Sequence, residues 1–199
     1  MKTALILVDI QNDFCPGGAL AVPDGDAVIA TANAAMAGYD LVVATQDWHP
    51  ADHGSFANNH PGKKAFYVIE LAGLQQVLWP VHCVQGTPGA EFHPGLDLSR
   101  VTKIFRKGSD ASVDSYSGFF DNGRRHSTGL GEWLQAQGVD AVTICGLATE
   151  YCVKATALDA VRLGFRTRFL AAASRGVGLS FDDIPAAIDE MRKAGVEIH

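Results

Sequence analysis

The sequence predicts an α/β chain folded as a three-layer, doubly wound sandwich around a mostly parallel sheet of about six strands. Three observations carry that expectation. Short apolar runs recur along the 199 residues. These runs are continuous rather than alternating, as in strands covered on both faces. Segments of helical period lie between most of them. The exception is the stretch 47–100, rich in Pro, Gly, His and Trp and without a clear period. Long irregular segments inside compact domains usually carry function, so it reads as an insertion built for a site.

Taken in order, the first strand is "ALILVDI" (4–10), followed by the helix "GDAVIATANAAMAG". The second strand, "DLVVATQ" (40–46), runs into the irregular segment, and "VTKIFRKG" (101–108) resumes the sheet. The helix "TGLGEWLQAQG" then leads to the strand "DAVTICGL" (140–147) and the helix "ATEYCVKATALDAVRLG". The strand "TRFLAAA" (167–173), the helix "FDDIPAAIDEMRKAG" and a short strand "VEI" (196–198) complete the chain. Several helices stop at Gly, which accepts the left-handed closing conformation at little steric cost. This alternation predicts right-handed crossovers. With no repeat, low-complexity tract or linker, it also predicts one domain over 1–199.

A chain that is 47% hydrophobic can bury a substantial core. Its net charge of −6, with no cluster of Lys or Arg, argues against nucleic acid or an anionic membrane as partner. The N-terminal apolar run is cut at Asp9, too early for a signal peptide, and no window approaches the roughly 18 apolar residues of a membrane span. The expectation is a soluble, cytoplasmic protein whose Cys15, Cys83, Cys145 and Cys152 are reduced thiols outside any CxxC spacing. The glycine pairs in "CPGG" and "GLG" match neither a phosphate loop nor a dinucleotide fingerprint, so no nucleotide cofactor is expected.

Ligands of open parallel sheets bind beyond the carboxyl ends of the strands. The first strand ends at Asp9, the second at Asp47 with His49 just beyond, the third at Lys107, and the fourth leads through Gly146 to the helix carrying Cys152. Taken singly, Asp9 reads as a turn residue, Lys107 as a solvated charge and Cys152 as core. Their convergence on one rim points instead to chemistry. A thiol in a helix's first turn beside an ammonium has its pKa lowered from about 8.5 toward neutrality. Asp9 would take the thiol proton and return it to a leaving group. The turn "GLATE" offers the backbone N–H groups of Ala148 and Cys152 to a developing oxyanion.

A second cluster lies in "QDWHPADHGSF" and "WPVHC". Asp47 and His49, two apart in an extended segment, face the same way, and His82 joins from the loop. One carboxylate and two imidazoles leave coordination positions open, as catalytic metal sites do. His53 and Ser55 both stand as a fourth ligand, and such a mixed set does not choose among zinc, iron and manganese. His60, His93, His126 and His199 lack partners at ligand spacing and read as surface residues. Cys145 reads as core, and Cys83 points away from its neighbour His82.

The segments "LILVDIQNDFCPGGAL", "TQDWHPADHGSF", "LWPVHCVQGTPGAEFHP", "FRKG", "DSYSGF" and "GLATEYCVKATALDA" together cover nearly the whole chain. In combination they resemble the isochorismatase-like cysteine hydrolases, in particular the branch that hydrolyses nicotinamide and pyrazinamide. The resemblance implies a triad of Asp9, Lys107 and Cys152. It also implies one divalent metal, zinc foremost and iron or manganese otherwise, on Asp47, His49 and His82 with Ser55 or His53 as fourth ligand. Phe14, Trp79, Tyr116, Leu147 and Tyr151 would surround the substrate, and the Leu147–Ala148 peptide would be cis. The implied reaction, part of NAD salvage, places the pyridine nitrogen on the metal while Cys152 attacks the carboxamide. Ammonia then leaves, and a water activated by Asp9 or the metal releases nicotinate from the thioester. Glu150 departs from the Asp expected at its position. Two alternatives stand beside this reading: a sibling enzyme acting on another small amide such as ureidoacrylate, and a noncatalytic binding protein on the same fold. The expected partner is a small molecule, and assembly into a homo-oligomer is left open.

Overall fold

The computed structural model describes residues 1–199. Its strands are β1 (Lys2–Val8), β2 (Leu41–Asp47), β3 (Val68–Leu71), β4 (Leu74–Val77), β5 (Lys103–Lys107), β6 (Val139–Leu147), β7 (Arg166–Arg175) and β8 (Glu197–Ile198). The α-helices are α1 (Val28–Ala35), α2 (Leu130–Ala136), α3 (Lys154–Arg162) and α4 (Asp183–Lys193). The main sheet has the order β5-β2-β1-β6-β7-β8, with every neighbouring pair parallel. Central β1 shows why its sequence is an unbroken apolar run. Leu5 and Leu7 pack on one face with Val28 and Ala32 of α1, while Ala4, Ile6 and Val8 pack on the other with residues of α2, α3 and α4. Helices on both faces of a parallel sheet form the expected three layers.

The chain leaves β1 toward β2 and β5 on one side and later returns to β6 on the other side of β1. The crevice outside the carboxyl ends of β1 and β6 is therefore the switch point where such sheets bind ligands. Asp9 and the turn after Leu147 open directly onto it.

Two elements differ from the sequence expectation. Residues 47–100 are not wholly irregular, because β3 and β4 form an antiparallel hairpin separate from the main sheet. Its two-residue loop, Ala72 and Gly73, has both φ angles positive (52° and 79°), the geometry that matches strand twist. The strands "VIEL" and "LQQV" bury little beyond Gln76, so they carry no apolar signal. Strand β7 also runs beyond Ala173 to Arg175. Its register shifts so that Ser174 and Arg175 pair with Gly146 and Leu147.

No helix is long and apolar enough to cross a membrane. All four cysteines are unpaired and buried.

Candidate active site

Strand register assembles the catalytic candidates. Val8 lies opposite Thr45 on β2 and Gly146 on β6, and Asp47 lies opposite Lys107 on β5. Gly146 has φ of 124°, and a Cβ there would sit 2.1 Å from the Val8 carbonyl oxygen, so only glycine lets β6 pass this close. Just beyond β1, Asp9 turns through a left-handed φ of 50°. The Lys107 ammonium, fully enclosed, lies 2.9 Å from Asp9 Oδ2 and 3.3 Å from Cys152 Sγ. It also donates to Asp47 Oδ1 and, at 2.9 Å, to the Ser115 carbonyl. Thr45 Oγ1 donates to the other Asp9 oxygen at 2.6 Å.

Cys152 sits in a single wide, π-type turn, Thr149–Val153, that leads into α3. Thr156 fixes this turn by donating its hydroxyl to the Cys152 carbonyl at 2.6 Å while accepting from Gly118 N–H. The Leu147–Ala148 peptide is cis, and the Ala148 N–H has no backbone acceptor.

The electrostatics correct one expectation. Burial pushes the Cys152 thiol well above its ordinary pKa, and Asp9 and Asp47 push the same way against Lys107. Desolvation and the two carboxylates thus push the thiol opposite to the lowering expected from the helix start and Lys107 alone. Asp9 is also raised, chiefly by burial, with Lys107 and Thr45 opposing. Burial would lower Lys107, but Asp47 and Asp9 outweigh it and keep the ammonium charged. Asp47 behaves oppositely to Asp9, since Lys107, His49 and His82 overcome its burial and hold it ionised. One carboxylate is thus able to trade a proton with sulfur, and the other stays an anion.

Asp47, His49 and His82 bring one donor atom each within 4.8 Å of one another. The His49 and His82 Nε2 atoms lie 3.5 and 3.9 Å from Asp47 Oδ2. Two ligands on one zinc ion would be about 3.4 Å apart in tetrahedral geometry, so the spacing fits a shared cation. Tautomers agree with this use. His49 Nδ1 donates to the Gly108 carbonyl at 2.8 Å and His82 Nδ1 to the Pro80 carbonyl at 2.7 Å. Both Nε2 atoms therefore point at Asp47, although Asp47 raises the His49 pKa against its burial. Burial, reinforced by His49, lowers the His82 pKa to about 4, which keeps that ring neutral.

Of the two fourth-ligand candidates, Ser55 faces His53, with Oγ 2.7 Å from His53 Nδ1. His53 Nδ1 accepts the Ser55 N–H, and its Nε2 is buried without a partner. His53 belongs to a neighbouring donor group with His49 and Asp114.

Between thiol and donor set lies a narrow cleft lined by Phe14, Asp47, Trp79, His82, Tyr116, Ala148, Tyr151 and Cys152 among others. The Trp79 and Tyr151 rings meet edge-on with centroids 4.8 Å apart. Tyr116 Oη accepts from Trp79 Nε1 at 3.1 Å and from Gln76 Nε2 at 3.2 Å. Leu147 is the exception among the expected substrate contacts: as the last residue of β6 it is wholly buried in the core and does not line the cleft. Leu20, Asp114 and Val177, which sequence reasoning did not select, do line it. Asp114 lay inside the recognised segment "DSYSGF", and Val177 follows the carboxyl end of β7, so the motif reaches the first and the rim rule the second. Thr45 and Gln76, whose β-strand side chains support the site from behind, had no such signal.

A family model described as the isochorismatase domain matches residues 3–199. The chain belongs to this family. Within the isochorismatase family it is 47% identical to a nicotinamidase of Escherichia coli (strain K12), over 98% of this chain and 93% of the relative. The structure of a nicotinamidase/pyrazinamidase from Acinetobacter baumanii superposes with a TM-score of 0.96 at 47% identity, covering 99% of this chain and 95% of that one. A pyrazinamidase of Pyrococcus horikoshii, described in complex with zinc, gives a TM-score of 0.81 at 41% identity, covering 100% and 99%.

Proposed function

We propose that the chain is an amidohydrolase that converts nicotinamide to nicotinate and ammonia and also accepts pyrazinamide. The observation that carries this reading is a single aromatic cleft with the Cys152 thiol and Ala148 on its wall together with Asp47 and His82 of the metal-donor group. The full-length likeness to relatives named for this activity supports it further.

The residues divide the work as follows. Asp9 accepts the Cys152 proton as Sγ attacks the carboxamide carbon, and the carbonyl electrons move onto oxygen. The Ala148 and Cys152 N–H groups stabilise that oxyanion. Protonated Asp9 then gives its proton to the amine as the C–N bond breaks, which releases ammonia and leaves a thioester on Cys152. Ionised again, Asp9 takes a proton from the attacking water, and the acid product departs as the thiol is restored. Lys107 stays protonated throughout and holds Asp9, Asp47 and the sulfur in register. Trp79, Tyr116 and Tyr151 pack against a flat ring and exclude water.

Asp47, His49 and His82 would hold one divalent cation, which we assign as zinc, with Ser55 or His53, which face each other beside the donor set, as the further ligand. The bound ion would act as a Lewis acid anchoring the ring nitrogen. Ammonia release across a panel of nicotinamide, pyrazinamide, benzamide and ureidoacrylate, with and without chelator, tests substrate class and metal together. Turnover of nicotinamide and pyrazinamide that chelator suppresses is expected. Equal or faster turnover of ureidoacrylate would overturn the assignment.

A further inference from the structure

We propose that Glu150 is a positioning residue that latches the segment Gly176–Gly178 in place as one wall of the cleft and so sets the bulk of ring the site admits. The inference rests on the reading of the cleft as a pyridine carboxamide site.

Glu150 lies two residues before Cys152 and is 7% exposed, although its carboxylate has no cationic partner. An ionisable group in such surroundings needs a reason, because burying an unpaired carboxylate is costly. Its Oε1 accepts the Gly178 N–H at 2.7 Å, and its Oε2 is buried without a partner. The backbone of the latched segment presses against that second oxygen. A Cβ on Gly176 would lie 2.6 Å from Glu150 Oε2 and 2.6 Å from Ile184 Cδ1 of α4. The segment is thus clamped between a carboxylate from the nucleophile turn and an aliphatic side chain from α4.

Between the two glycines stands Val177, which lines the same cleft as Ala148, Tyr151 and Cys152. The segment leaves β7 at Arg175 and has no strand or helix of its own until α4 begins at Asp183. The bond to Glu150 therefore ties Val177 to the turn that carries the thiol. Just beyond, Leu179 and Phe181 are exposed, so the segment gains no core anchor on its far side. The arm length of Glu, rather than a role in proton transfer, is what reaches Gly178.

Glu150→Ala, Glu150→Gln and Val177→Ala test this. With nicotinamide, Glu150→Ala should raise KM about tenfold, equivalent to losing one charge-assisted hydrogen bond, and leave kcat within about threefold. It should also narrow the preference for nicotinamide over the bulkier quinoline-3-carboxamide and speed amide hydrogen exchange in residues 176–182. Glu150→Gln keeps the acceptor for Gly178 and should restore KM and protection. Val177→Ala should relax the same preference even if Glu150→Ala does not fold. A fall in kcat at constant KM in Glu150→Ala would overturn the proposal, as would unchanged exchange in 176–182. If the unmodified protein released no ammonia from nicotinamide, the functional reading would fail, and the exchange contrast between Glu150→Ala and Glu150→Gln would still decide the latch.

Discussion

Replacing Thr45 with Val isolates the proton-accepting role of Asp9. The two side chains are nearly isosteric and Val favours strands, so β2 should retain its shape. What is lost is one hydrogen bond, 2.6 Å from Thr45 Oγ1 to Asp9 Oδ1. Bonds to charged groups are worth about 1.5–3 kcal/mol, and that bond helps hold the Asp9 carboxyl down against its burial. The same bond to a protonated carboxyl is worth about 0.5–1.5 kcal/mol, so at 1.36 kcal/mol of difference per pH unit its loss should raise the Asp9 pKa by about 1 unit. Asp9 must be ionised to accept the thiol proton, so kcat/KM falls as pH drops through that pKa. The acid limb of the pH profile for ammonia release should therefore move to higher pH by about 1 unit in Thr45→Val, with the alkaline limb fixed. An acid limb that stays in place while the plateau alone falls would refute the assignment of Asp9 as base.

Cys152→Ala should reduce ammonia release at least about a thousandfold while nicotinamide still protects the protein against thermal unfolding. Asp47→Ala combined with His49→Ala should bring bound divalent metal to background by elemental analysis and weaken substrate capture. Gly108→Ala should act on the same cation from outside the donor set: Gly108 has φ of 66°, and a Cβ there would lie 2.3 Å from the His49 ring. Displacing the carbonyl that orients His49 should lower metal affinity about 10–100-fold, read by chelator competition. Lys107→Met removes a buried cation from between two carboxylates, and should cost about 3–5 kcal/mol in denaturant unfolding and move thiol alkylation of Cys152 to still higher pH.

Much of this was legible in the sequence because it follows from strand ends. A parallel sheet delivers Asp9, Asp47, Lys107 and the Cys152 turn to one rim whatever the details of packing, and each strand showed as an apolar run. Asp47 and His49 could be paired because extended backbone has a period of two. The unreadable parts depend on contacts between segments far apart in the chain. Thr45 meets Asp9 only through the register of β1 with β2, and Gln76 meets Tyr116 only because a polar hairpin folds back over the cleft. Leu147 was misassigned for a related reason. Its backbone neighbours the reacting turn, but pleating sends its side chain into the core. The upward push on the Cys152 thiol escaped because helix position and a nearby Lys are visible locally, whereas complete desolvation beside two carboxylates is not.

The β3–β4 hairpin stands outside the sheet that carries the candidate triad. The proton-transfer groups hang from the central sheet, where any backbone shift would disturb Asp9, Lys107 and Cys152 together. Trp79 and Gln76 hang from or beside a two-stranded flap pinned by Ser55, Ala57 and Asp114. A substitution in the flap is thus expected to alter the fit of the ring more than the bond-breaking step.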